Sequence, residues 1–244
     1  MAMSQFSYDP ILMAAAGDRP QCVDDVLQIM HTIDATCTDG DGLKWFNWLY
    51  LQVTEAVKAG IAEGGTHDPQ WLAALDVEFA SLYFGALEAT LRGASCPRCW
   101  RSLFDVRSDT QLARIQFALS GINAHINHDL PEAIVATCQA TGIVPAHGSP
   151  QYRDYSALNA TLDRLVDTAK TTLRVRLLGD ALPLASHLEN TVAAWSMAAA
   201  RENSWTNAEV LSHLQGAPSL AAGFIESLDG ITTVVSKTLL APVP

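Results

Sequence analysis

Residues 121–134 read Gly-Ile-Asn-Ala-His-Ile-Asn-His-Asp-Leu-Pro-Glu-Ala-Ile. Two histidines, an aspartate and a glutamate sit there among aliphatic side chains. An imidazole oriented by a carboxylate is an acid–base pair that works near neutral pH. His125 and Asp129 supply one, with His125 taking or giving the proton and Asp129 orienting the ring. Arg114 lies eleven residues before His125, close to three full helical turns, so the two share a face. Between them Ala118 and Gly121 leave room for a ligand or another backbone. Arg114 or Tyr83 would stabilise developing negative charge. A competing reading is purely structural. Asp129 would cap a new helix with Glu132 reciprocating, Pro131 would occupy its first turn, and His128 would lie exposed at the corner.

Other polar groups sit on mostly apolar helices. Asp76, Ala80, Tyr83 and Leu87 share a face, and burying Asp76 is costly unless it meets a cation, a metal or donors. Gln116, Ser120, Asn123 and Asn127 form a stripe of uncharged polar groups. Later, His187, Thr191, Ala194, Ala198, Glu202 and Trp205 share a face, bordered by Asn190 and Arg201. These patterns nominate Asp76, Tyr83, Asn123, Asn127 and Glu202 as substrate-binding residues. The acid–base reading needs no cofactor. Its alternative is a divalent metal, zinc or similar, held by His125 and Asp129 with Asp76, His187 or Glu202 completing the shell. Cys96-Pro-Arg-Cys99-Trp100 contains a CxxC, but no second pair exists for a structural zinc, and no strand–helix context for a redox role. Its cysteines read as incidental. No phosphate-binding glycine loop, dinucleotide fingerprint or nucleophile-elbow motif is present.

The elements that must position these residues are helical. Asp68 caps and Pro69 opens a long helix ending near Gly93, and Gly64-Gly65 closes the one before it. Ser108-Asp-Thr-Gln111 reads as a capping box before the helix bearing His125. One long helix is expected from Gln151 to Gly179, and Thr206 is expected to cap a separate one. Only Thr232–Ser236 and Leu173–Leu178 have strand-like composition. The expectation is an all-α fold, a single domain of about eight to ten helices over residues 1–244, with 1–19 a loosely packed N-terminal arm.

Composition bounds the function. The 244-residue chain is 49% hydrophobic and 17% charged, which suits a compact globule with a large core. A net charge of −11 without a basic cluster argues against nucleic acid and anionic lipid as partners. No stretch is apolar for long enough to span a membrane, and the N-terminal residues lack the basic region of a signal peptide. Five cysteines, an odd number, read as reduced thiols of a cytoplasmic protein. The expected partner is a small-molecule substrate, with a second copy of the chain as a further candidate.

Two resemblances follow from the residues. Arg114–Val135, with Leu75–Leu87 before it and Ala199–Trp205 after it, resembles a bacterial family catalogued as a domain of unknown function. The family's hallmark is an Ala-His-Ile-Asn-x-Asp-Leu-Pro segment. The likeness runs from about Trp45 to Leu211 and implies that His125, Asn127 and Asp129 belong to a family pattern. His125-x3-Asp129 is also similar to a metal-ligating helix end of helical zinc-dependent phospholipase C and P1-type nucleases. The chain departs from that group, because Pro131-Glu132 follow the aspartate and His147 lies far downstream.

Three functions compete. One is a metal-free small-molecule enzyme of lyase, isomerase or cyclase type. The second is a metal-dependent, phosphoesterase-like hydrolase. The third is a non-catalytic helical ligand-binding protein.

Overall fold

Several helix starts in the computed structural model, which describes residues 5–174 and 196–242, reflect local chemistry. Asp41, Asp68 and Ser149 accept from the backbone N–H groups of Leu43, Trp71 and Tyr152, satisfying donors a helix start leaves free. The helices are α1 (Asp9–Ala16), α2 (Val23–Thr36), α3 (Gly42–Glu63), α4 (Pro69–Leu91), α5 (Arg98–Phe104) and α6 (Arg114–Ala124). A π-helical turn, His125–Asp129, leads into α7 (Leu130–Ala140). Then come α8 (Pro150–Ala157), α9 (Asn159–Thr172), α10 (Met197–His213), a 3₁₀ turn (Leu214–Gly216) and α11 (Pro218–Leu239). The architecture is an all-α, multi-helix domain, and the described residues contain no extended strand.

The core is built around α6. It packs against α3, α5 and α11, while α7 packs against α4 and α10. Two glycines set the α3–α6 distance. A Cβ on Gly121 would lie 2.4 Å from the Phe46 ring, and one on Gly42 would lie 2.3 Å from Phe117. Each helix thus seats its phenylalanine on the other's glycine. The space expected beside Gly121 is filled by Phe46.

Several local expectations change. Thr232–Ser236 is helical, within α11. Leu173 ends α9, and residues 175–178 of the other strand-like stretch lie outside the described residues. The long helix expected from Gln151 breaks at Leu158, between α8 and α9, and α10 runs through Thr206. The box expected at Ser108 is replaced by Gln116, whose Oε1 accepts from Ala113 N at 2.8 Å. The N-terminal stretch, expected to be loose, contributes α1, where Leu12 and Ala16 are completely buried. Asp9 there pairs with buried Arg107, which also binds the N-cap residue Asp41. No helix among the described residues is long and apolar enough to cross a membrane.

Candidate functional site

Pro131 shapes the site. A proline inside an α-helix cannot donate to the carbonyl four residues back, and its ring crowds that carbonyl. The chain answers with the π turn, where Leu130 N–H donates to the carbonyl of His125, five residues back. On α10, Ser204 Oγ donates to the Ile126 carbonyl at 2.6 Å. Asp129 keeps helical dihedrals and makes no capping bond, so the expected corner between two helices is a continuous helical path. Its carboxylate is therefore available to side chains.

Three donors converge on it. Oδ2 accepts from His125 Nδ1 at 2.9 Å and from Trp100 Nε1 at 2.9 Å, while His128 Nδ1 lies 2.8 Å from Oδ1. His128 is buried rather than exposed. Burial pushes the Asp129 carboxyl up, but the two imidazole hydrogen bonds override it and hold the group below its ordinary value. Burial dominates at His125 and lowers its pKa against the pull of Asp129. At His128 burial is outweighed by Asp129, Glu132 and Asp229, and the pKa rises. Near neutral pH, Asp129 is an anion and His125 a neutral ring with its proton on Nδ1. Its Nε2 is then a bare acceptor, and that buried atom has no hydrogen-bond partner.

Aromatic rings enclose this imidazole. Phe79 stacks on it at a centroid distance of 3.5 Å and 6°, and the Tyr50 ring stands at 4.4 Å. Phe46 and Trp100 lie at 5.8 Å and Tyr83 at 6.3 Å. Tyr50 and Phe79 also line a neighbouring cavity of about 40 Å³, with Asp76, Tyr155 and Arg201 among its other walls. His125 is not itself on that wall, contrary to the expected internal pocket. Burial alone pushes Asp76 up to about 7, and its Oδ2 has no hydrogen-bond partner. Arg201, fully desolvated, donates to Asn159 Oδ1 and to the Tyr155 carbonyl, both at 2.7 Å, and stacks on the Tyr155 ring.

Other nominated residues lie elsewhere. Arg114 pairs with Asp39 at 3.5 Å and stacks on Trp45. Eleven residues at 1.5 Å each put it roughly 16 Å along the helix from His125, so a shared face is not a shared site. Asn123 donates to the Thr232 carbonyl and to Ser236 Oγ, and Asn127 to Asn123 Oδ1, joining α6 to α11. Glu202 binds His147 Nε2 at 2.8 Å and Tyr152 OH at 2.8 Å near the surface. Tyr83 belongs to the aromatic enclosure, with its hydroxyl 3.4 Å from Asn47 Oδ1. His187, Asn190, Thr191 and Ala194 lie outside the described residues.

His125 Nδ1 and both Asp129 oxygens already bind protein groups, while His125 Nε2 is left without a partner. Glu202 is committed to His147. Trp100, Tyr50, Phe79 and the clamping role of His128 were not singled out in the sequence. Trp100 had one signal, a tryptophan directly after a cysteine pair.

The family model for a family of unknown function, DUF5995, matches residues 23–242. The chain belongs to this family. No curated protein and no solved structure matches it.

Proposed function

We propose that this DUF5995 protein is a small-molecule enzyme that moves protons with the buried His125–Asp129 pair and Asp76. One observation carries the reading. His125 Nε2 and Asp76 Oδ2 are buried polar atoms without partners, and Phe79, which stacks on the His125 ring, lines the cavity that Asp76 borders. Buried polar atoms are ordinarily satisfied, and such exceptions are what a reacting ligand would complete. Asp76, with a pKa of about 7, can both give and take a proton at neutral pH. Asp129 fixes the tautomer that leaves His125 Nε2 as the base. Arg201 adds a desolvated cation to an otherwise apolar wall, which favours a small substrate bearing a carboxylate or a developing oxyanion. The cavity of about 40 Å³, partly open to solvent, has room only for water-sized molecules as it stands, so a substrate needs wall side chains such as Tyr50 or Phe79 to turn aside. The lyase, isomerase and cyclase classes all use such proton transfers. The five free cysteines suit a reducing, cytoplasmic compartment.

A second reading has its own support. The small cavity and the tight stacking of Phe79 favour a ligand-binding protein in which His125 only pins the core. The two diverge on turnover. Small carboxylates, hydroxy acids and enolisable ketones that raise the melting temperature should be followed by NMR with wild-type protein, Asp76→Asn and His125→Gln. The enzyme reading expects conversion by wild type and a loss of about two to four orders of magnitude in both variants. Ligands that bind without conversion, or that are converted equally by the variants, would sink it.

A further inference from the structure

We propose that Cys99, His128 and Asp229 form a zinc site that His128 joins to Asp129. The three come from α5, the π turn and α11, far apart in sequence. All are buried, and their potential ligand atoms lie within 4.8 Å of one another. A thiolate, an imidazole and a carboxylate together suit zinc better than calcium or magnesium, which prefer all-oxygen shells.

Each ligand is already oriented by its surroundings. His128 gives Nδ1 to Asp129 Oδ1 at 2.8 Å, which leaves Nε2 for a metal. A carboxylate holding the far nitrogen of a ligating histidine is the usual support around zinc, fixing tautomer and ring direction. Asp129 is in turn fixed by Trp100 and His125. Asp229 Oδ2 takes Arg98 N and Nε, Oδ1 takes Cys99 N at 2.9 Å, and the carboxylate also accepts from the Cys99 thiol. A cation would take the place of the thiol proton between Cys99 and this carboxylate, using the lone pair that the S–H group now occupies. The Cys99 backbone is held by its N–H bond to Oδ1, directly beside Asp229.

Tetrahedral zinc sets its donors roughly 3.3–3.8 Å apart, so the triangle must contract by about 1 Å on binding. On binding, the Cys99 thiol loses its proton to solvent and a sulfur–zinc bond forms, while a charged His128 ring also gives its Nε2 proton to solvent and binds as the neutral ring. Glu132 Oε1 lies 3.6 Å from His128 Nδ1, the nitrogen turned to Asp129, so a water takes the fourth position. Cys96 takes no part. It faces Thr90, with Sγ 3.1 Å from Oγ1, so the CxxC is not a pair of ligands.

The test uses full-length protein stripped by chelation, then titrated with zinc against a chromophoric competitor and separately with cobalt(II). The site predicts one saturable equivalent and a thiolate-to-cobalt charge-transfer band in the near ultraviolet. Cys99→Ala removes the band and weakens zinc binding at least 100-fold, whereas Cys96→Ser keeps both. X-ray absorption of the zinc form of the wild-type protein provides a readout that needs no variant. It should show one sulfur at about 2.3 Å and nitrogen or oxygen neighbours at about 2.0–2.2 Å. No saturable binding, a shell without sulfur, or loss of the band in Cys96→Ser would each overturn the site. None of these readouts depends on turnover.

Discussion

His125 Nδ1 and Trp100 Nε1 share one oxygen of Asp129, each at 2.9 Å, although Trp100 precedes the aspartate by 29 residues. The shared acceptor ties α5 to the π turn, while the His125 and His128 hydrogen bonds hold the buried carboxyl below its ordinary value. Trp100→Phe keeps an aromatic ring but deletes the donor and part of the indole volume. It should cost about 1–3 kcal/mol, as for loss of one hydrogen bond to a charged group. Urea denaturation measures this. A cost near zero would mean that His125 and His128 alone satisfy the carboxylate.

Asp129→Asn separates a helix cap from a buried clamp. At an N-cap, asparagine is about as good as aspartate. In the observed network, one end of the asparagine amide would be an N–H₂ facing donors, and the partners of a lost anion would stay buried. The expected cost is about 3–5 kcal/mol, the range for breaking a buried ion pair. A melting temperature close to wild type would return Asp129 to the role of a cap.

The helical class was legible because apolar periodicity, Asp68-Pro69 and Gly64-Gly65 are local signals. The His125–Asp129 contact was legible for the same reason, since residues four apart on a helical path face each other. The π turn was not, because Pro131 after an aspartate reads equally well as a helix start. Arg114 shows the limit of a helical wheel, which records angle but not height along the axis. Trp100, Tyr50, Phe79, Cys99 and Asp229 reach the site through tertiary packing between distant elements, which no spacing rule records.

Gly121 is a contact point rather than a vacancy. Gly121→Ala would push a methyl group into the Phe46 ring, whose Cβ is itself only 2.7 Å from the added atom. Overpacking of this kind costs about 1–3 kcal/mol. Because Phe46 also borders His125, the same variant should shift the imidazole resonances in an NMR spectrum. Unchanged stability would show that α3 and α6 separate easily.

His125→Ala would leave a hole inside five aromatic rings, so it is a poor probe of chemistry. A large-to-small change in such a core costs about 2–5 kcal/mol. His125→Gln keeps more of the volume and removes the proton-transfer ring. Comparison of the two by calorimetry should find alanine the less stable. If alanine is as stable as glutamine, the aromatic enclosure collapses readily around the position.

Asp76 gives the sharpest pH signature. Its pKa rises from 3.8 in the unfolded chain to about 7 in the folded one, because burial penalises the anion. The folded state therefore binds the proton more tightly than the unfolded state, and stability falls as pH rises between those two values. At about 1.4 kcal/mol per pH unit, full ionisation costs about 4 kcal/mol. Asp76→Asn removes the ionisation while keeping the shape. Relative to wild type, the variant should be close in stability at pH 4 and more stable by a few kcal/mol at pH 8. Chemical denaturation at the two pH values measures the difference directly. A constant difference across that range would show that Asp76 is solvated in the folded protein, and would remove it from the acid–base site along with the reason for placing chemistry in that cavity.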